Sequence, residues 1–97
     1  MEYHIFAVND NYGLRVHPYI FDAEYEGQAI SKAFQYVAKV KEGTTVGLFK
    51  RDSEGKPHAI AAWSKMPSGK LKREEPLDVV ENQFHLTAMD FEYTVTY

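Results

Sequence analysis

The sequence predicts a single α+β domain spanning residues 1–97, in which an antiparallel or mixed sheet of about five strands is covered by one main amphipathic helix. A second short helix completes the order ββαββαβ. Three observations predict this. Apolar residues alternate with a period of two near the start, in the middle and at the end of the chain. They recur at helical spacing between residues 28 and 39, and Gly, Pro, Asn and Asp gather between the periodic stretches. With 44% hydrophobic and 14% aromatic residues in a chain of 97, one core suffices and disorder is excluded.

The first strand covers residues 2–8, with Tyr3, Ile5 and Ala7 on one side and His4, Phe6 and Val8 on the other. Apolar residues on both sides predict a central strand. Asn9-Asp10-Asn11-Tyr12-Gly13 is turn chemistry, so a second strand from Leu14 to Ala23 completes a hairpin. Pro18 has no N–H to give to a ladder, which places that strand at an edge or puts a bulge in it. Ala29, Ile30, Ala33, Phe34, Val37 and Ala38 then mark the main helix, opposite Gln28, Lys32, Gln35 and Lys39. Its start is expected within Asp22–Gly27 and its stop at Gly43, with Lys39 and Lys41 in the last turn.

Thr45–Lys50 and His58–Ser64 read as a second hairpin around the polar turn Arg51–Pro57. Residues 64–76 hold two prolines, a glycine and a charge run, and read as an exposed loop. Pro76 is suited to a first helical position, and Leu77, Val80 and Phe84 behind it predict the short helix. Asp90–Tyr97 alternates cleanly and reads as a final strand with one wet face, the natural place for self-association if it lies at an edge. The pattern leaves the oligomeric state open.

Chemistry is scarce in this chain. There is no cysteine, which removes disulfides and thiolate metal sites and fits a reducing, cytoplasmic setting. Neither an export signal nor a membrane span is expected. His4, His17, His58 and His85 lack metal-ligand spacing, although His4 and His58 both fall on strands and could meet across the sheet. Ser31, Ser53, Ser64 and Ser68 lie outside any nucleophile elbow, and the six glycines form no phosphate cradle. Carboxylate pairs such as Asp22 with Glu24, or Glu74 with Glu75, read as solvated surface rather than an acid–base pair. No enzyme, no cofactor and no metal is predicted; a small enzyme or ligand-binding domain without a motif is the third alternative.

Charge is more informative. Residues 1–31 hold one Arg against five acids, residues 32–73 ten Lys or Arg against three acids, and residues 74–97 six acids and no base. The acidic ends motivate the leading expectation, a small non-catalytic interaction domain acting as inhibitor or adaptor. Asp22, Glu24, Tyr25 and Glu26 together with Glu74, Glu75, Asp78 and Glu81 would dock on a basic protein partner, such as a nucleic-acid-binding complex. An anti-defence or anti-CRISPR protein of phage type is the sharpest form of that expectation. The alternative is a nucleic-acid-binding module using Lys50, Arg51 and Lys56 in one loop and Lys65, Lys70, Lys72 and Arg73 in the next, with Phe49 and Trp63 stacking on bases.

Overall fold

A strand that is apolar on both sides needs a neighbour on each edge and cover on each face, and β1 (Glu2–Asn9) has both. In the computed structural model, which describes residues 1–9 and 14–84, β1 pairs with β2 (Leu14–Asp22) on one side and β3 (Thr45–Arg51) on the other. β4 (Pro57–Lys65) pairs with β3, and β5 (Leu71–Arg73) with β4. The sheet order is therefore β2-β1-β3-β4-β5, and every neighbouring pair is antiparallel. Helix α1 (Glu26–Val37) links β2 to β3 and packs across one face of the sheet; α2 (Leu77–Phe84) follows β5.

Pro18 meets both of its expectations. β2 is an edge strand, and Ile5 pairs with Tyr19 while Ala7 pairs with Val16, so β2 holds one residue more than β1 in the stretch containing the proline. The ladder is interrupted where its donor is missing.

The α1 face is built from Tyr3, Ile5 and Ala7 of β1, Val46 and Leu48 of β3, and Ala61 and Trp63 of β4. Ala29, Ala33 and Val37 of α1 lie fully buried against them, and the two alanines let the helix backbone approach the sheet closely. The helix ends at Val37, short of the expected Gly43. Lys39 and Val40 donate their N–H groups to Tyr36 and Val37, three residues back, so the chain tightens and leaves the helix there. Gly43 serves the next turn instead: its φ is 82°, and its N–H donates to the Lys65 carbonyl at 2.9 Å. Lys65 also reaches back to this helix end, with Nζ donating to the Ala38 carbonyl at 2.9 Å.

The opposite face is smaller and aromatic. Phe6, Phe49 and Phe84 meet edge to face, with ring centroids 5.5 Å apart for Phe6–Phe49 and 5.3 Å for Phe49–Phe84. Ala59 and Ala62 floor this cluster and Leu77 flanks it. Gly47 is the reason the rings fit, because a Cβ there would overlap the Phe49 ring and crowd Phe84. A bulge serves the same end: Leu48 pairs with Ala61 but Phe49 with Ala59, so Ile60 is the extra residue. Ile60 and Ala61 thereby turn to the α1 face while Ala59 and Ala62 turn to the other.

Two expectations about the second half change. Residues 64–76 are not all loop, since Leu71–Arg73 forms the fifth strand, paired with Trp63–Lys65. Three residues with one apolar side chain carry no alternation to detect. Pro76, joined to Glu75 by a cis peptide bond, stands just before α2 rather than as its first residue. The turn at 10–13 and the expected strand at 90–97 lie outside the described residues.

Candidate functional site

The side chains that chemistry would recruit are dispersed. His4 and His58 do not meet, because β3 runs between their strands. His4 is fully buried and its Nε2 lies 3.0 Å from Glu2 Oε1, whereas His58 is exposed. Burial holds the His4 imidazole below its ordinary pKa, with the Glu2 carboxylate opposing the shift and Arg51 adding to it. Ser64 Oγ is bonded to Thr45 Oγ1 at 3.0 Å, and Ser31 sits exposed on α1. Among the described residues no group of three His, Asp or Glu side chains is placed to hold a metal ion, and no helix is long and apolar enough to cross a membrane. His17 lies on β2, and His85 falls outside the described residues.

The basic residues do not form one surface. Lys50, Arg51 and Lys56 surround the β3–β4 turn, while Lys65, Lys70, Lys72 and Arg73 surround the β4–β5 turn at the other end of β4. The length of β4 separates them by about 26 Å. Several are engaged within the protein: Lys56 Nζ lies 3.4 Å from Glu54 Oε2, Arg73 Nε 3.7 Å from Glu75 Oε1, and Lys65 is bonded to Ala38. In the first turn Asp52 accepts the N–H groups of Glu54 and Lys56, which holds its carboxyl below the usual range. Phe49 is 0% and Trp63 5% exposed. Neither is available to stack on a base, so the aromatic half of the nucleic-acid expectation falls away: the two rings are core.

The acidic residues are likewise split. Asp22, Glu24, Tyr25 and Glu26 lie at the end of β2 and the start of α1. Glu74, Glu75 and Asp78 lie beyond β5 and at the start of α2, with Glu81 further along that helix. These groups belong to opposite edges of the sheet, about four strand spacings or 19 Å apart.

Of the two, the segment at the end of β2 has the more distinctive build. Asp22, Glu24, Tyr25 and Glu26 are all exposed, Tyr25 by 63%. Tyr25 adopts an extended conformation as the residue before α1, and its carbonyl accepts the N–H groups of Gln28 and Ala29 at 3.1 and 3.3 Å. Gln28 Oε1 in turn accepts the Glu24 N–H at 2.8 Å, which fixes the entry of the chain into the helix. The Tyr25 ring lies along bare Gly27. Glu26, in the first turn, also complements the positive end of the helix. Among the described residues no base is ion-paired with Asp22, Glu24 or Glu26.

One neighbouring feature was not singled out by sequence. Tyr3, Phe21, Tyr19 and Tyr36 form a run of near-parallel rings, with successive centroids 5.9, 5.9 and 6.4 Å apart, in which Tyr19 is 45% exposed. Lys32 Nζ sits 5.0 Å from the Phe21 ring centroid. The clue was Tyr19 and Phe21 at alternate positions of an edge strand, but Tyr36 reaches them from the helix, which no local spacing encodes. No protein family, curated protein or solved structure matches the chain.

Proposed function

We propose that this protein is a non-catalytic interaction domain, an inhibitor or adaptor, that docks the segment Asp22–Glu26 on a basic protein surface such as a nucleic-acid-binding complex presents. The observation that carries the reading is Tyr25, an aromatic side chain 63% exposed between the exposed carboxylates of Glu24 and Glu26. A tyrosine brings a large, nearly rigid contact area with a polar tip, and such residues dominate binding energy at protein interfaces. Carboxylates around it steer a basic partner and exclude an acidic one.

Two contrasts support this choice over the basic loops. Lys56 and Arg73 already face acids of their own hairpins, and the aromatics once expected to stack on bases are core. The second acidic group, Glu74, Glu75, Asp78 and Glu81, follows β5 at the other edge and stands apart from the docking segment in this reading. Affinity capture from native lysate, with and without nuclease, tests the proposal. A protein partner should survive nuclease and be lost with Glu24→Lys and Glu26→Lys together; retention that disappears with nuclease would transfer the function to Lys70, Lys72 and Arg73.

A further inference from the structure

The segment Asp22–Glu26 continues directly from an edge strand, and the hydrogen-bond phase of that strand can be worked out. Met1 and Ala23 exchange both of their backbone hydrogen bonds, at 3.1 and 3.2 Å. In an antiparallel pair such positions alternate, so with Tyr3 opposite Phe21 and Ile5 opposite Tyr19, those pairs also bond to each other. The backbone N–H and C=O groups of Ile20 and Asp22 therefore point away from β1. The same alternation carried through β3 and β4 turns Ala62 toward β5, and its carbonyl there accepts the Glu74 N–H at 2.9 Å. Among the described residues β2 pairs with β1 alone.

The sheet treats its two edges differently. β5 is three residues long and presents Lys72 and Arg73, which is how a protein blunts an edge against strand pairing. β2 is nine residues long, and its last part offers open backbone at Ile20 and Asp22 beside the half-exposed Tyr19. Exposed carboxylates at Asp22, Glu24 and Glu26 follow immediately.

We infer that the partner adds an extended segment to the β2 edge between Tyr19 and Asp22, with basic residues at the end lying against Asp22–Glu26. This inference rests on the proposed docking of the acidic segment and specifies the form of what docks. Main-chain bonds to Ile20 and Asp22 supply the pairing, Tyr19 packs on the partner's alternate side chains, and the carboxylates select its charge. Charge chooses among possible occupants: an acidic strand would meet three carboxylates.

The experiment uses the full chain and a labelled extended peptide of alternating lysine and valine, with a control peptide in which the valines become prolines. Amide hydrogen exchange by NMR is read residue by residue in the free and bound protein. The Ile20 and Asp22 amides should exchange rapidly in the free protein and become protected with the first peptide, while Phe21 is protected in both states. Ile20→Pro, which removes an outward donor and leaves the β1 ladder intact, should weaken the first peptide by about tenfold or more. Equal binding of both peptides, with Ile20 and Asp22 unprotected, would overturn strand addition; if Glu24→Lys with Glu26→Lys still abolished that binding, the acidic docking surface would stand. Binding indifferent to that charge reversal would overturn both. Protection of Ile20 and Asp22 already in the free protein would also overturn the inference, because the edge would be occupied.

Discussion

The two edges of this sheet differ in length and charge: the β2 edge ends in acids, while the β5 edge mixes Lys65, Lys70, Lys72 and Arg73 with Glu74, Glu75 and Asp78. At the β5 edge Arg73 faces Glu75, Lys65 bonds the end of α1, and the strand stops after three residues. At the β2 edge the strand runs for nine residues and ends in exposed acids around an exposed tyrosine, with no base drawn up to Asp22, Glu24 or Glu26 among the described residues. A run of charge in sequence does not distinguish these cases. What separates them is that bases and acids stand together at the β5 edge, where Arg73 meets Glu75, while among the described residues no base is ion-paired with the acids that end the β2 edge. An edge that carries one sign of charge, with no ion pair to its acids among the described residues, has electrostatic energy left for another molecule.

The comparison assumes a rigid sheet between the edges, and the most damaging way to break it is through the aromatic face. Phe49 touches both Phe6 and Phe84 and is fully buried, so Phe49→Ala should cost about 3–5 kcal/mol in denaturant unfolding. Next in size is the binding anchor. Tyr25→Ala should leave the melting temperature nearly unchanged while weakening the captured partner about thirtyfold, near 2 kcal/mol by titration calorimetry. A smaller effect tests the packing that lets the second helix close over the sheet. Gly47→Ala should destabilise by about 1–3 kcal/mol, because the added methyl overlaps the Phe49 ring and must displace it.

Acid should act on the centre of the sheet, between the edges. Burial lowers the native pKa of His4, so below the unfolded value of about 6.5 the unfolded chain binds more protons than the native one. The stability contributed by neutral His4 is therefore complete above that value and is lost as pH falls toward the lowered native pKa. His4→Gln should flatten this part of a stability–pH curve. The smallest effect belongs to the β5 edge, where Arg73→Ala should change stability by under about 0.5 kcal/mol, as an exposed ion pair does.

Much of this architecture was legible in the sequence because it is locally encoded. β1 announced its central position by being apolar on both sides, Pro18 announced an edge and a break in register, and Leu77, Val80 and Phe84 announced the second helix. The features that were missed depend on partners far along the chain. Leu71–Arg73 is a strand because Trp63–Lys65 lies beside it, and Gly47 and the extra residue Ile60 acquire their roles only once three phenylalanines meet on one face. Gly43 looked like a helix stop, yet the helix had already tightened at Val37 and the glycine's left-handed backbone was used one turn later.

The candidate site followed the same rule. Its members were found from charge and aromatic content, and Asp22, Glu24, Tyr25, Glu26, Glu75 and Asp78 are exposed. Their separation was invisible, because it follows from α1 carrying the chain from β2 across to β3 on the far side of β1. The stack that runs through Tyr19 to Tyr36 was invisible for a related reason: it joins a strand to a helix that lies over it.

The central claim is that the acidic segment ending the β2 edge, and not the lysines of the β4–β5 turn, meets the partner. The most direct test measures the captured partner's affinity for two variants side by side, one carrying Glu24→Lys with Glu26→Lys and one carrying Lys70→Gln with Lys72→Gln. The account predicts that the first loses at least about a hundredfold in Kd while the second stays within about threefold of the natural chain. Loss confined to the second variant would contradict it and assign the function to the β5 edge.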